Sequence, residues 1–567
     1  MEKRDYIIIA VITLAFAVLA FYRLGSFTGP ETYYEVTAET PVILLDFGET
    51  VAFDYFVVYF GPECLWFEVY IGADGSEWEL TDMGGGVWQL EGGAEEEWEH
   101  TAENRYAYES FAWKGYFHGS TATQARYLLM ALHEPTNIWE MVFLAPDNQR
   151  LVPVNAAAYP GIFDEQWRFD PYISYTYYDR TIFDEFYHGR TAYEYMKGLP
   201  GSETGHPPLG KLLLIPGIAI FGMVPFGWRF MAAVFGIMTV PLIYAFTKAL
   251  VGSRFAAAAA ALLLAADCMH LTLSRLGTID TIAGFWILLM NCLFWLYLKS
   301  RSYLPLALCG LVFGIGVATK WTSLFAGAGL ALMFLFHIIM HRPPRLARLI
   351  AFCTVFFVAL PALIYILSYI PVIWNPPLED DSLLSTVAAS IEFMSSFHFE
   401  RQDENPLVSA FYEWLIVWKP LSYSSGPLDA VNSSSVNLMG NVAIWWFGLP
   451  CLLFCLYRAA GRKDGRAAFL LVAYAAQMLP WVLVSHHSFI YHYYPATLFM
   501  IPAIAYTLDI IARAREWGRT AVYGYLAVAV AVFIVFYPVA SGIPAPYEYQ
   551  LGLEWLPEWE LVQRRVG

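Results

Sequence analysis

Residues 521–538 read AVYGYLAVAVAVFIVFYP and residues 6–22 read YIIIAVITLAFAVLAFY, two runs without a charged side chain. An apolar run of about 20 residues is what an α-helix needs to cross the hydrocarbon layer of a bilayer. Eleven such runs can be segmented between residues 6 and 540 of the 567-residue chain, which is 58% hydrophobic and only 15% charged. The fold class this predicts is a polytopic α-helical membrane protein with about eleven transmembrane helices. Cations cluster in alternate short loops: Lys3 and Arg4, Lys248 and Arg254, Lys299 and Arg301, Arg342 to Arg348, Arg458 to Arg466, Arg513 to Arg519. The positive-inside rule then puts the N-terminus in the cytoplasm and, after eleven crossings, the C-terminus outside a multi-pass plasma-membrane protein. The first run is long for a signal peptide, and no small-residue cleavage site follows in RLGSFTGPE (23–31), so it reads as a retained anchor.

The membrane pattern stops at residue 30. Short alternating stretches follow, among them PVILLDFG (41–48), FDYFVVYFG (53–61), LWFEVYIGADGSEWEL (65–80), ARYLLMAL (125–132) and NIWEMVFLA (137–145), separated by Gly, Asp and Pro turn signals. These predict an extracytoplasmic all-β sandwich over residues 30–160. Their order, with FAWKGYF (111–117) between, resembles the discoidin or galactose-binding-like sandwich. Trp113 and Trp139 would stack on sugars if this module bound glycans, although strand aromatics are more commonly buried. Residues 31–205 hold 30 Asp and Glu against 8 Lys and Arg, so the chain's net charge of −17 belongs to this external part. Such a surface argues against nucleic-acid partners. Of seven cysteines only Cys64 lies here, which leaves no disulfide framework or CxxC metal site.

The remaining organisation follows from the same pattern. Residues 1–29 form the N-terminal anchor, 161–228 an external loop with juxtamembrane helices, 229–372 spans two to seven, 373–440 a second external loop, 441–540 spans eight to eleven, and 541–567 an extracytoplasmic tail. Loops as long as 373–440 are often functional. Neither a repeat of 20–50 residues nor the inverted repeat of many transporters is visible.

Most of the polar chemistry sits in DEFYHGRTAYEYMKGLPGSETGHPPLGK (184–211). Residues 181–197 suit a helix capped by Thr181 and closed by Gly198, with Asp184, Glu185 and His188 on adjoining parts of one face. First-turn acids also favour the helix dipole without any further role. Glu185 and His188 make a Glu-x-x-His pair but lack the second histidine of HExxH, so no metal ligand is assigned. Two prolines before Lys211 then start a short apolar stretch (208–222) that reads as a juxtamembrane or partly inserted helix. Further ionisable groups stand at the external ends of predicted spans: Arg229, Asp267, His270, Arg275, Asp280, Lys320, His486, His487 and His492. Charges at a bilayer are costly and commonly face a cavity or a partner, and the topology brings all of these to one side. A carboxylate base with cations for a phosphate, at headgroup height, is the chemistry this suggests.

DE (184–185), HPPLGK (206–211), FGWRFMAAVFGIMTVPLIY (226–244), SRLGTIDT (274–281), ATKWTSLF (318–325), EWLIVWKPLSY (413–423) and FIYHYYP (489–495) follow one another as in the protein O-mannosyltransferase family, which this chain resembles over most of its length outside the β insert. The resemblance implies the GT-C class of multi-spanning glycosyltransferases (glycosyltransferase family 39, the bacterial phospholipid-carrier-dependent branch). It implies a polyprenyl-phosphate-linked sugar donor, with mannose the expected sugar, and Ser/Thr hydroxyls of exported proteins as acceptors in an inverting displacement. Asp184 and Glu185 match the catalytic acidic pair. Arg229, Arg275, Asp280, Lys320 and His492 match positions on the donor phosphate and sugar side, with His188, His206, Lys211 and Trp321 in support. The β-trefoil that eukaryotic members carry in the second external loop is absent from 373–440, and His486 stands where an arginine would be expected. No cofactor is required, although a carboxylate pair facing a phosphate is compatible with a divalent cation. Membrane lipids are the remaining expected partners, and the oligomeric state is not legible. Two other readings stay open: transfer to a cell-wall polymer or lipid-linked glycan, and a glycan-binding transporter or sensor. Polar groups at span ends rather than at the midplane count against transport.

Overall fold

A computed structural model describes residues 1–62, 67–72, 79–82, 88–91, 98–104, 110–117, 123–373, 382–399, 407–484, 488–514 and 516–565. The chain divides into two compact units, one of Gly25–Phe186 with Met223–Pro225, the other of Met1–Leu24, Tyr187–Gly222 and Phe226–Gly567. His486 and His487, as well as Cys64, lie outside the described residues.

The first unit is built on two four-stranded antiparallel sheets. In one, Glu140–Leu144 lies between Tyr55–Phe60 and Arg150–Leu151, and Tyr55–Phe60 also pairs with Ala112–Phe117. In the other, Thr123–Leu132 lies between Val42–Phe53 and Phe67–Gly72, and Phe67–Gly72 pairs on with Trp98–Asn104. Alternate residues of both sheets, including Ile43, Leu45, Leu128 and Met130 from one and Phe56, Val58, Met141 and Phe143 from the other, share one buried core. This is the period-2 pattern of two sheets that each bury one face. Trp113 is 1% exposed and Trp139 9%, and Trp113 packs edge-on against Tyr59 and Phe169. Both tryptophans are therefore interior residues, and neither presents a face to a sugar.

Glu140 is an anomaly in that core. It is fully buried, its Oε2 accepts the Glu165 amide at 3.0 Å, and its Oε1 has no hydrogen-bond partner. Burial, followed by the nearby Glu165 and Asp164 carboxylates, outweighs the amide hydrogen bond and pushes its carboxyl up to about 9. The folded protein therefore holds a proton that the unfolded chain releases near pH 4.5, and stability falls as pH rises from there towards 9. Glu140→Gln keeps the acceptor and removes the ionisation. It is expected to raise the melting temperature of the full protein at pH 8 more than at pH 5, measured by scanning fluorimetry in detergent.

The second unit is a helical bundle. Among the described residues, eight helices are long and apolar enough to cross a membrane, and a ninth span is formed if the bent pair Arg254–Ala265 and Cys268–Ser274 counts as one. The other two predicted spans fall on shorter helices, Tyr303–Thr319 and Gly465–Met478. Tyr494–Ala514 is buried along nearly its whole length, from Tyr494 through Asp509, as expected of a helix that is apolar all round. The bent pair turns through 61° where Asp267 caps its second half by accepting the His270 amide at 3.1 Å. The same carboxylate accepts Trp445 Nε1 at 2.8 Å, and His270 Nδ1 lies 2.9 Å from the Tyr494 hydroxyl. Asp267 and His270 are thus internal fastenings of the bundle.

The first helix, Lys3–Phe21, is fixed at both ends. Near its start, Asp5 is fully buried and accepts from the Tyr244 hydroxyl at 2.8 Å and Arg254 Nε at 3.0 Å. Past its other end, the Arg275 guanidinium donates to the carbonyls of Leu19, Ala20, Tyr22 and Arg23 and also to that of Ser541, while Arg229 donates to Leu24 O at 3.0 Å. The last carbonyls of a helix lack intrahelical donors, and arginine supplies them. Strands Leu421–Pro427 and Asn432–Leu438, from the second long loop, form a small sheet with Ala545–Pro546 of the tail.

Candidate functional site

In the bundle unit a cavity of about 290 Å³ is lined by Gly205, His206, Pro207, Lys320, Trp321, Thr322, Leu324, Phe325, Met394, Pro480, Trp481, Leu483, Val484 and His492. Its polar groups are few and convergent, and the rest of the wall is aromatic or aliphatic, which is the usual composition of a ligand site.

Lys320 is the cation of that wall. It ends the helix Tyr303–Thr319, is 6% exposed, and its Nζ lies 2.7 Å from Oδ1 of Asp280, the first residue of the helix Asp280–Ser300. The ammonium also sits 5.2 Å from the centre of the Tyr491 ring. A buried ion pair of this geometry fixes the ammonium in place without removing its ability to meet a second anion. His492 is held in a short 3-10 turn, Ile490–Tyr493, where its Nδ1 lies 3.1 Å from both the amide nitrogen and the carbonyl oxygen of Phe489. Its ring packs on Trp481 at 4.1 Å and Tyr491 at 4.2 Å. Trp321 Nε1 donates to the Tyr365 hydroxyl at 3.2 Å.

The HPPLGK segment forms the adjoining wall. Pro207 and Pro208 set the start of the helix Pro208–Leu212, a second short helix Ile215–Phe221 follows, and the predicted juxtamembrane stretch is realised as this pair. Lys211 is fully buried and satisfied: its Nζ lies 2.5 Å from Glu203 Oε2 and donates to the carbonyls of Glu203 and His206, each at 2.9 Å. His206 Nδ1 lies 3.1 Å from Glu203 Oε1, and the His206 ring meets the His188 ring edge-on at 5.4 Å. Burial alone would raise the Glu203 carboxyl, but Lys211 and then His206 overcome it and hold it well below the usual range. Burial, assisted by His206, keeps the His188 imidazole well below its ordinary value, so it is neutral at pH 7.

Gly210 explains how this segment meets the ion pair. A Cβ there would stand 2.8 Å from Ile279 Cγ2 and 3.1 Å from Thr319 O, the immediate neighbours of Asp280 and Lys320. Only a glycine lets the Pro208–Leu212 helix rest on both elements. Gly210→Ala is expected to cost about 1–3 kcal/mol of stability through overpacking, read as a lower melting temperature.

Asp184 and Glu185 belong to the first unit and stand at the start of the helix Glu185–Lys197. That helix begins four residues later than 181–197 predicts, because Thr181 gives its hydroxyl to Ser110 O at 2.7 Å and does not cap it. Glu185 is fully buried, and its Oε2 accepts the Ile182 amide at 3.0 Å. Asp184 is half-buried and follows Phe183, whose φ of +49° is unusual for a bulky residue. Strain of this kind tends to persist where the chain must aim a neighbouring group. Gly198, at φ +72°, closes the helix as predicted.

The structure thus brings Lys320, Trp321, His206 and His492 to one cavity, pairs Asp280 with Lys320, and joins His188 and Lys211 to its His206 wall. It commits Arg229 and Arg275 to main-chain carbonyls at the end of the first helix, and Asp267 and His270 to the bend. These four are not among the residues that line the cavity. Sequence reasoning missed Glu203, whose position three residues before His206 and eight before Lys211 was the available signal.

Two family descriptions match the chain: "Dolichyl-phosphate-mannose-protein mannosyltransferase" over residues 169–375 and "C-terminal four TMM region of protein-O-mannosyltransferase" over residues 389–559. The polyprenol-phosphate-mannose–protein mannosyltransferase of Corynebacterium glutamicum is 25% identical over 488 residues, covering 70% of this chain and 92% of that protein. The Mycobacterium tuberculosis protein of the same name is 25% identical over 427 residues, covering 62% and 80%. Among solved structures, the Saccharomyces cerevisiae protein O-mannosyltransferase Pmt1–Pmt2 complex bound to the sugar donor superposes with a TM-score of 0.60 at 15% identity, over 67% of this chain and 89% of that one, a likeness of fold.

Proposed function

The chain belongs to the protein O-mannosyltransferase family, and from that premise we infer that it transfers mannose from polyprenyl-phosphate-mannose to hydroxyl groups of a protein acceptor. It is a multi-pass membrane glycosyltransferase. The observation that carries the assignment is the buried ammonium of Lys320, held by Asp280 on the wall of a largely apolar cavity. That combination suits one kind of ligand, an anionic headgroup on a hydrocarbon tail.

In the reaction the acceptor hydroxyl oxygen attacks the anomeric carbon, the bond from that carbon to the phosphate oxygen breaks, and the configuration inverts. Asp184 takes the hydroxyl proton as the new bond forms. Glu185, buried and hydrogen-bonded to the Ile182 amide, positions the start of the helix instead of sharing the base role. The negative charge that develops on the departing polyprenyl phosphate is met by Lys320, with His206 and His492 as neighbouring donors. Trp321, Leu324, Phe325 and Trp481 give the lipid-facing part of the headgroup an apolar surface. The reaction runs on the outer face of the plasma membrane, where exported proteins present their Ser and Thr hydroxyls, with the N-terminus in the cytoplasm.

The test uses membranes containing the full chain, radiolabelled polyprenyl-phosphate-mannose and a Ser/Thr-rich peptide. Labelled peptide is expected from the wild type and not from the Asp184→Asn variant. Label in a lipid-linked glycan or wall polymer with none in peptide would replace the protein acceptor by a glycan, and no transfer to either would overturn the reading.

A further inference from the structure

His188, Glu203 and His206 each present one donor atom within 4.8 Å of the other two. All three lie in the bundle unit, His188 in the first turn of the helix Glu185–Lys197 and the other two on the segment that leads into HPPLGK. The pairing of Lys211 with Glu203 accounts for the carboxylate, and the Glu203–His206 hydrogen bond accounts for one imidazole nitrogen. Neither accounts for His188. That side chain is 2% exposed, its ring packs on His206, and its Nδ1 is buried without a hydrogen-bond partner. A buried polar nitrogen left without a partner is costly, and a ring facing a second imidazole and a carboxylate has an evident use for its lone pair.

We propose that His188, Glu203 and His206 bind a divalent transition-metal ion of the zinc class. Two imidazoles and one carboxylate are a donor set suited to Zn²⁺, and three protein ligands leave a fourth position for water or an anionic oxygen. Tetrahedral ligands at zinc distances stand about 3.4 Å apart, so closing the site from a 4.8 Å spread asks for roughly an ångström of side-chain movement. Rotation of the His188 ring, which no hydrogen bond at Nδ1 restrains, supplies it. Lys211 stays on the outer carboxylate oxygen, where it competes with the ion for the carboxylate's charge.

The consequence reaches the cavity through His206, which is both a ligand and a lining residue. A bound ion would tie the helix carrying His188 to the segment carrying His206 and fix the cavity wall adjoining Lys320. This role rests on the donor-site reading given above, but the binding itself does not.

The experiment measures metal directly. The full-length protein is purified in detergent, stripped with chelator, loaded with Zn²⁺, passed through gel filtration and assayed for metal by mass spectrometry. Visible absorption after Co²⁺ loading reports the ligand field. About one equivalent per chain is expected for the wild type, with at least tenfold weaker binding for His188→Gln and Glu203→Gln. Lys211→Met should bind as tightly as the wild type or more so, because it frees the carboxylate, and this holds the proposal to account if the ligand variants fail to fold. Substoichiometric metal on monodisperse wild-type protein, or binding unchanged in His188→Gln, would overturn it. Metal binding with no mannosyl transfer would leave this site standing and remove the functional reading, and transfer by a protein that binds no metal would do the reverse.

Discussion

Replacing Asp184 by asparagine is expected to lower peptide mannosylation by about 10²–10⁴-fold, the range a positioned general base supplies. Asparagine has the same shape and keeps an oxygen that can accept from the start of the helix, so the backbone around Phe183 should be retained. What it cannot do is take a proton. The informative comparison is Glu185→Gln. The glutamine oxygen still accepts the Ile182 amide, and the variant should lose much less activity than its neighbour. If the base were instead Glu185, the two effects would exchange. Initial rates at saturating donor separate the cases, and an Asp184→Asn rate within about threefold of wild type would remove Asp184 from the reaction altogether.

Lys320→Met carries the second large effect, and it acts in two ways. The variant removes the cation that meets the departing phosphate, and it leaves Asp280 buried without its partner. Breaking one side of a buried ion pair costs about 3–5 kcal/mol. The activity loss should therefore come with a lower melting temperature. Adding Asp280→Asn neutralises the stranded carboxylate and should restore most of the stability, yet transfer should stay low because the phosphate still lacks its cation. Rescue of both together would show that the pair is only structural.

Much of this fold was legible because a bilayer punishes any other reading. A run such as 521–538 has no aqueous alternative, and alternation in 53–61 or 125–132 only suits a sheet with one buried face. Lys320 and His492 of the cavity wall, with Asp280 that pairs with Lys320, were legible through ordered motifs. The arginines were not. A buried guanidinium is equally well satisfied by a phosphate or by carbonyl oxygens at a helix end, and carbonyls leave no trace in residue type. Arg229 and Arg275 both donate to such carbonyls. Asp267 and Thr181 show the same ambiguity in smaller form, since a polar side chain beside a helix start serves a cap, a tertiary contact or a ligand equally well. Glu203 was invisible for another reason: its partners stand three and eight residues away on an irregular segment, where no helical or strand period links them.

The grip of Arg275 on both ends of the chain has a consequence for biogenesis. One guanidinium holds the carbonyls of Leu19, Ala20, Tyr22 and Arg23 and also that of Ser541, so two membrane segments more than 500 residues apart are closed by a single side chain made between them. The anchor leaves the ribosome more than 500 residues before its final partner exists. Until then it must wait in the bilayer or in the insertion machinery, and premature termination near the C-terminus would release it again. A fusion that swaps the anchor for a foreign transmembrane helix should therefore yield protein that inserts but never matures.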